Sequence, residues 1–316
     1  MSDPCQPAGA ATRREFLCRS GALAGSAWTR PGLAAGPAAA VASSIEPVPD
    51  GGLRIGAMAR NTTLANHLAV RERYPLVTRA VVAGASPQLR NMATAGGNLL
   101  QRTRCGYFYD TAFAHCNKRQ PGSGCAARQG LHRNHAILGA STECIATHPS
   151  DFCVALAALR ATIQVRGPRG ERSIAIADFH RLSGHTPQRD ATLAEDEWVT
   201  AIDLPPSRFA RHASYLKVRD RTSYAFALVS VAAALDVRDG VVQDAALALG
   251  GVARKPWRVP QAEAALVGRA LEASTMQAAA DALLQGAAPL PQNAFKVTLA
   301  RRAVTRALQD AAAMPA

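Results

Sequence analysis

The chain has 316 residues, of which 48% are hydrophobic and 19% charged, enough for two domains of ordinary size with a substantial core. No run of eighteen apolar residues is present, so we expect no transmembrane helix and no membrane partner. The formal charge of +13 comes mainly from arginines spread along the chain, without a basic run and with 5% aromatic residues, so we expect no nucleic-acid partner.

The N-terminal segment, residues 1–50, differs in composition from the rest and contains a twin-arginine-like pattern. Residues 12–17 read TRREFL and precede a weakly apolar Ala/Gly stretch, followed by small residues at 34–44. As an export signal, this segment would direct the protein to the periplasm. The alternative is a disordered Ala/Gly/Pro leader on a cytoplasmic protein.

A globular pattern begins near Gly52. Residues 53–59 alternate in polarity like a strand, and residues 61–75 predict a helix that ends at Pro75. Residues 76–93 then predict a helix, a turn and a strand. Further on, the pattern predicts a helix capped by Ser150 or Asp151 and a strand over 148–167, and another strand over 197–206.

The pattern changes near residue 210, and we place a domain boundary at 205–212. Residues 214–252 predict strands and turns, with Asp239-Gly240 as a hairpin turn. Residues 260–286 and 295–313 are rich in Ala and Leu and predict helices. No internal repeat is evident.

Four of the seven cysteines lie close together in a segment rich in glycine and basic residues: Cys105, Cys116, Cys125 and Cys144. The odd total argues against a complete disulfide framework. A structural zinc site usually takes its ligands from close pairs of the form C-x2–4-C, whereas the gaps here are ten, eight and eighteen residues.

A cubane iron–sulfur cluster is larger than a zinc ion, and its thiolates can come singly from an extended loop. The basic side chains nearby would offset its negative charge. The residues therefore favour an iron–sulfur cluster, with a zinc ion and unliganded thiols as alternatives. Cys153 lies in an apolar run and is expected to be a small buried hydrophobic residue.

Just before the cysteines, residues 90–101 read RNMATAGGNLLQ. Paired glycines let a backbone approach a ligand closely, although alone this motif is most often a plain turn. Together with CNKRQPGSGCAA, CIATHPSD and the later SYLKVRDR, it resembles the FAD-binding medium subunit of molybdenum hydroxylases, the xanthine dehydrogenase and aldehyde oxidoreductase family. The likeness is greatest to the periplasmic aldehyde oxidoreductase type, whose flavin subunit carries an extra [4Fe–4S] cluster in an inserted loop.

The resemblance implies an α+β fold and the positions of two cofactors. The fold would be a vanillate-oxidase-type FAD-binding domain over 51–208, with its N-terminal subdomain truncated or replaced and an iron–sulfur loop at 102–147, followed by a smaller α/β domain over 209–316. The FAD contacts implied by position are Thr94, Gly96, Gly97, Asn98, Gln101, Asp151 and Lys217. The implied [4Fe–4S] ligands are Cys105, Cys116, Cys125 and Cys144.

The resemblance also implies the function of an electron-transfer flavoprotein subunit. Substrate oxidation would take place on a partner large subunit with a molybdenum cofactor, and electrons would reach FAD through a small [2Fe–2S] subunit. No catalytic residue is expected in this chain. The family's early glycine-rich loop of the form AGGTNL is not found in residues 1–50, so one alternative is a non-flavin iron–sulfur assembly or scaffold subunit. A zinc-stabilised binding module is a third possibility.

Overall fold

The computed structural model describes residues 42–314. The twin-arginine-like pattern, the predicted export signal, Cys5 and Cys18 lie outside the described residues. Residues 42–50, which the composition places in the leader, contain a short strand that pairs with the next one. Within the described part of the chain, no helix is long and apolar enough to cross a membrane.

The described strands form two sheets in which every pairing is antiparallel. The first sheet has the order β1-β2-β5-β3-β4 and consists of β1 (Ile45–Pro47), β2 (Leu53–Gly56), β3 (Thr162–Gly167), β4 (Gly170–Ala175) and β5 (Trp198–Leu204). The second has the order β6-β7-β8 and consists of β6 (His212–Val218), β7 (Val229–Arg238) and β8 (Val241–Gly250).

The helices are mostly short. Those before β3 are α1 (Asn61–Asn66), α2 (Leu68–Arg73), α3 (Pro75–Gly84), α4 (Pro87–Met92), α5 (Ala95–Leu99), α6 (Gly106–Tyr109) and α7 (Asp151–Ala158). The others are α8 (Ile176–Phe179), α9 (Pro260–Ala264), α10 (Ala273–Leu284) and α11 (Phe295–Ala312).

The first sheet and the helices α1–α3 and α7 enclose one hydrophobic core. In β2, Leu53 and Ile55 are fully buried, whereas Arg54 between them is exposed and pairs with Asp203 of β5. This is the alternation expected of a strand with one buried face. Every residue of α7 is buried, so this apolar helix lies at the centre of the core.

The second sheet has small side chains on one face and larger ones on the other. In β7, Ala232 and Ala234 face the first core, whereas Val231 and Leu235 face a second core built with α9–α11. The small side chains bring the sheet close to α7, and a Cβ on Gly250 would lie 2.5 Å from Val154 Cγ2.

Asp239 and Gly240 join β7 to β8 with φ angles of 50° and 75°. Positive φ at both central residues is the signature of a type I′ turn, so the predicted hairpin is confirmed.

The helix boundaries differ from the prediction in the first part of the chain. Residues 61–75 form two helices because His67 between them is extended, with φ −66° and ψ 126°. Pro75 begins α3 rather than ending a helix, since the first helical position needs no N–H donor. The predicted strand before residue 93 is wrong: this segment is α4, which begins because Ser86 Oγ accepts a hydrogen bond from Leu89 N at 3.4 Å.

The predicted helical region 260–286 is also two helices. Gly268, with φ 77°, lies between α9 and α10, and Ala270 pairs with Val241 in an isolated bridge. The connection between the two helices therefore runs along the sheet.

Between α5 and α7 the chain forms a long loop that carries all four predicted cluster ligands. Its regular elements are α6 and a 3-10 turn, Ala126–Arg128. Cys116 and Cys125 form an isolated bridge, and the Asn117 side chain joins the loop to itself by accepting from Gly124 N at 2.8 Å and donating to Glu143 Oε2 at 2.7 Å. Hydrogen bonds of this kind order the loop in place of regular secondary structure.

Candidate functional site

The glycine motif forms the short helix α5, next to the end of β2. Thr94 caps this helix, because its Oγ1 accepts a hydrogen bond from Gly97 N at 3.1 Å. The amides of Ala95 and Gly96 donate to carbonyl groups just after β2, at 2.9 and 2.7 Å. These three amides already have acceptors. The groups of the motif that remain available to a ligand are therefore the Thr94 hydroxyl and the exposed backbone of Gly97, which carries no side chain.

Gly96 and Asn98 hold the motif against the first sheet. A Cβ on Gly96 would lie 3.1 Å from Ala57 O, so only glycine fits this contact without displacement. Asn98 is buried and donates from Nδ2 to Asn61 Oδ1 at 2.6 Å and to Thr94 O at 2.9 Å. These two residues therefore fix the position of the exposed part of the motif.

Asp151 and Lys217 form a buried ion pair. The α7 helix begins at Asp151 as predicted, capped by Ser150, and the Asp151 carboxylate accepts from Lys217 Nζ and from Tyr215 OH, both at 2.7 Å. The side chains of Lys217 and Asp151 are 3% and 6% exposed. Burial and the Asp151 charge raise the pKa of Tyr215 well above its usual range, so the phenol stays protonated and donates its hydrogen bond.

Asp151 also lines a cavity of about 710 Å³. The walls of this cavity are the 147–151 segment, residues 224–227 of the β6–β7 connection, and Cys105 with His135 from the cysteine loop. A volume in the range of roughly 300–1,000 Å³ is typical of small-molecule and cofactor sites. The cavity thus lies between the buried ion pair and the cysteine loop.

The other predicted cofactor contacts lie at different distances from this cavity. Lys217 Nζ is held by Asp151 and by Ala83 O at 3.1 Å. The glycine motif is joined to α7 by Cys153 Sγ, which contacts Asn98 O at 3.4 Å. Gln101 lines a separate small cavity of about 40 Å³. The structure therefore brings Asp151 and Lys217 together, places the glycine motif beside their helix, and leaves Gln101 to one side.

The four cysteines of the loop line one small cavity, as their clustering in the sequence predicts: Cys105, Cys116, Cys125 and Cys144. All four are free thiols. Burial raises the pKa of Cys105 to about 11, the backbone amides of Phe108 and Tyr107 oppose this rise, and the neighbouring Cys144 and Cys125 add to it. Amides directed at buried sulfurs stabilise thiolates, so the loop is suited to hold thiolates that a cation neutralises.

The spacing of the sulfurs bears on the choice between zinc and a cluster. In the part of the chain that the structure describes, three or more His, Cys, Asp or Glu ligand atoms come within 4.8 Å of one another at one place. That place does not include these four cysteines. Two thiolates on one tetrahedral zinc ion are separated by only about 3.8 Å, from Zn–S bonds of about 2.3 Å. No three of the four sulfurs therefore lie as close together as the thiolates of a zinc site do.

Charged side chains surround this cavity. Arg254 is buried and donates from Nη1 to Cys144 Sγ at 3.4 Å, and from Nη2 to Asp190 Oδ1 at 2.6 Å. Lys118 is fully buried and pairs with the same Asp190 oxygen. Burial alone would raise the pKa of Asp190, but the hydrogen bond from Lys118 and the charge of Arg254 lower it, so this carboxyl is ionised. His135 Nε2 lies 3.2 Å from Cys105 Sγ.

A second group of potential ligand atoms consists of His148, Cys153 and His180, whose side-chain atoms lie within 4.8 Å of one another. Burial lowers the pKa of His180 to about 4, lowers the pKa of His148 well below its usual range, and raises the pKa of Cys153 to about 12. All three are therefore neutral. His180 Nε2 contacts Leu99 O at 2.8 Å, so the group joins α5 to the core, and the expectation that Cys153 is buried is confirmed.

Several residues of these sites were not predicted from the sequence. Tyr215 has a detectable signal, because it lies two positions before Lys217 on β6 and so shares its face. Arg254 and Asp190 have none, because they are more than 40 residues from the nearest cysteine of the loop and are brought there by the fold.

The known protein families match both halves of this architecture. The FAD binding domain in molybdopterin dehydrogenase matches residues 43–207, and the CO dehydrogenase flavoprotein C-terminal domain matches residues 214–311. The class of protein is thus a flavoprotein of the molybdopterin dehydrogenase type.

Individual relatives narrow the assignment within this class of flavoprotein. The aldehyde oxidoreductase FAD-binding subunit PaoB of Escherichia coli K12 is 52% identical over 270 residues, 85% of this chain and 81% of PaoB. The nicotinate dehydrogenase FAD-subunit of Eubacterium barkeri is 28% identical over 229 residues, 72% of this chain and 61% of that protein. The solved structure of carbon monoxide dehydrogenase from Hydrogenophaga pseudoflava is similar with a TM-score of 0.65 and 25% identity, covering 88% of this chain and 80% of that one.

The chain therefore belongs to the family of FAD-binding oxidoreductase subunits that contains the xanthine dehydrogenases and aldehyde oxidoreductases. The family and the fold predicted from the sequence are confirmed. The matches support the flavoprotein interpretation over the non-flavin scaffold alternative.

Proposed function

We propose that the chain is the electron-transfer flavoprotein subunit of an aldehyde oxidoreductase, passing electrons from iron–sulfur centres through FAD to an acceptor. The observation that carries this proposal is the 52% identity with PaoB over most of both chains. The partners would be a large subunit with a molybdenum cofactor, where the aldehyde is oxidised, and a small [2Fe–2S] subunit. The family matches support a heteromeric complex of this kind.

The residues of the large cavity and the glycine motif fit a flavin. FAD, when bound, accepts electrons singly and releases them singly or in pairs. In this proposal Thr94 and Gly97 contact it through the exposed side of the motif, while Gly96 and Asn98 hold the motif in place. Asp151 lines the cavity that would receive part of the cofactor.

Lys217 and Gln101 have supporting parts in this site. Because Lys217 Nζ is held by Asp151, we propose that it acts on the flavin through the Asp151 carboxylate, whose charge it neutralises. Gln101 lies beyond α5 and lines the neighbouring small cavity. The FAD-binding domain in this proposal covers 51–208 and the C-terminal domain 209–316.

We further propose that Cys105, Cys116, Cys125 and Cys144 bind a [4Fe–4S] cluster in the loop 102–147. The shared cavity and the backbone amides directed at the Cys105 sulfur favour bound thiolates over free thiols. The sulfur spacing, wider than one zinc ion allows, favours a cluster over zinc. The buried cations Arg254 and Lys118 would offset the charge of four thiolates.

The test is to co-express the chain with its partner subunits, purify the complex anaerobically, and measure its visible spectrum with iron, sulfide, zinc and FAD content. Beyond the irons of the [2Fe–2S] subunit, we expect about four irons per chain, together with about one FAD. The variant Cys125→Ser should lose these irons and keep FAD. The matched control Cys153→Ala, which removes a buried thiol outside the loop, should keep both.

The outcomes separate the two assignments. A purified wild-type complex that contains the irons but no FAD would contradict the flavin assignment. Zinc in place of iron, or iron unchanged in Cys125→Ser, would contradict the cluster assignment and leave the flavin assignment standing.

A further inference from the structure

We infer that Arg254 and His135 set the reduction potential of the cysteine-loop cluster upward through N–H···S contacts, and that Asp190 sets it downward. This inference rests on the cluster proposed above. It concerns three side chains that are not cluster ligands and that lie far from one another in the sequence. With these contacts, the cysteine loop has a reduction potential set by its neighbours and is more than a cross-link of the chain.

The first contact is made by His135. Its Nε2 lies 3.2 Å from Cys105 Sγ, and its ring is buried, with Nδ1 lacking a hydrogen-bond partner. When Cys105 is a ligand its sulfur carries no proton, so the only hydrogen available to this contact is the one on Nε2. The imidazole then donates a hydrogen bond to the ligand sulfur.

The second contact is made by Arg254. Its guanidinium is 3% exposed and divides its donors between Cys144 Sγ, at 3.4 Å, and the acceptors Asp190 Oδ1 and Pro187 O, at 2.6 and 2.7 Å. Asp190 and Pro187 fix the plane of the guanidinium, so that Nη1 stays directed at the sulfur. A buried positive charge is therefore held beside one ligand.

Asp190 opposes the positive charges on the same side of the cluster. One of its carboxylate oxygens accepts from both Arg254 and Lys118, and the other from the more exposed Arg102 at 3.1 Å. Lys118 and Arg254 together carry two positive charges against the single negative charge of Asp190. Asp190 therefore compensates part of the positive charge of this pair, and Glu143, a second carboxylate, lines the cysteine cavity.

The sign of each effect follows from the charge of the reduced cluster. Adding one electron to a [4Fe–4S] centre with four thiolates takes its charge from about −2 to about −3, and no bond forms or breaks. A hydrogen-bond donor or positive charge stabilises the more negative state and raises the potential, and a negative charge lowers it. Because Arg254 and His135 are buried, solvent screens their effects little.

The experiment is an anaerobic redox titration of the whole complex with dithionite and mediators, in which the EPR signal of the reduced cluster is followed. We expect Arg254→Gln to disfavour reduction about tenfold, a midpoint potential lower by about 59 mV for a one-electron couple. His135→Phe, which keeps the ring and removes the donor, should give a smaller shift in the same direction. Asp190→Asn should shift the potential upward.

Two further variants separate charge from geometry. Arg254→Lys keeps the charge and loses the planar fork, so its potential should lie between those of the wild type and Arg254→Gln. Arg128→Gln removes an exposed charge from the same loop and should leave the potential unchanged, because water screens it.

Opposite shifts in Arg254→Gln and Asp190→Asn are the result a merely structural role would not produce. Equal potentials in all variants, or shifts of the same sign in these two, would overturn the inference while the wild-type iron content still supports the cluster. If Arg254→Gln fails to assemble the cluster, Asp190→Asn and His135→Phe decide the question. Absence of the cluster from the wild-type complex would contradict the proposed cluster assignment and leave the flavin assignment standing.

Discussion

At the scale of single residues, the centre of the protein depends on one buried ion pair. Lys217 and Asp151 are almost completely buried and 2.7 Å apart, and Tyr215 supplies the second hydrogen bond to the carboxylate. The attraction between two buried charges offsets their desolvation only while both are present. Such a pair fixes the geometry of the α7 N-terminus against β6 more than it adds net stability.

We therefore expect Lys217→Met to lower the free energy of unfolding by about 3–5 kcal/mol, because it leaves the Asp151 carboxylate buried without its cation. The double variant Asp151→Asn with Lys217→Met should recover much of this loss. Guanidinium unfolding of the purified protein measures both.

The control is Lys255→Met. The wild-type Lys255 Nζ donates only to a backbone carbonyl, at 2.8 Å, so this variant should change the free energy of unfolding by less than about 1 kcal/mol. A double variant as unstable as Lys217→Met would show that the unpaired charge is not the cause of the loss.

At the scale of elements, the two glycines of α5 have different tasks. Gly96 faces the chain after β2, where a Cβ would lie 3.1 Å from a carbonyl oxygen and 3.2 Å from another Cβ. Gly97 is exposed, and its Cβ would meet only Thr94 Oγ1 at 3.1 Å. The first glycine is needed for packing, and the second keeps the outer surface of the motif bare.

We expect Gly96→Ala to destabilise the protein by about 1–3 kcal/mol, since the added methyl displaces α5 from the sheet. Gly97→Ala should change stability by less than about 1 kcal/mol and lower the FAD content of the purified complex, because the methyl occupies the proposed flavin contact. FAD content from the visible spectrum and unfolding midpoints give the two readouts. Equal FAD content in Gly97→Ala and wild type would count against a flavin contact at this position.

At the scale of the whole molecule, stability against acid depends on neutral histidines in the core. The pKa of His180 is lowered by burial to about 4 from an ordinary 6.5. Because the unfolded state binds this proton more readily, the stabilising effect of a neutral ring is complete above pH 6.5. It is lost as the pH falls from 6.5 towards 4. The ring of His148 lies 4.3 Å from that of His180, tilted by 49°, and its pKa is lowered by the same cause, so His148 adds to the effect.

The expected loss from His180 alone is about 2 kcal/mol between pH 7.5 and pH 5, from about 1.4 kcal/mol per pKa unit. His180→Phe should reduce the slope of stability against pH by this amount. Denaturant midpoints across this pH range measure the slope, and His185→Phe, at an exposed position, should keep the wild-type slope. A His180→Phe protein with an unchanged slope would contradict the assignment.

Sequence-based prediction succeeded for local features and failed where local signals disagreed. The capped start of α7, the strand before Pro205 and the Asp239-Gly240 hairpin are local features, set by caps, prolines and positive φ angles, and each was predicted. The strand predicted before residue 93 was wrong because Ser86 caps a helix there and Pro87 begins it. Local signals compete, and a short segment does not carry enough of them to decide.

The sequence by itself determined the glycine motif and the group of four clustered cysteines, because residue type and spacing carry this information directly, and its resemblance to a known family determined the family and the α+β class. Only the tertiary structure decided that Lys217 is neutralised by Asp151, that Gln101 lies apart, and that Arg254 links Cys144 to Asp190. These contacts join residues 64 to 110 positions apart along the chain. Such contacts form, and their side chains become buried, only when the two sheets and the loop pack together.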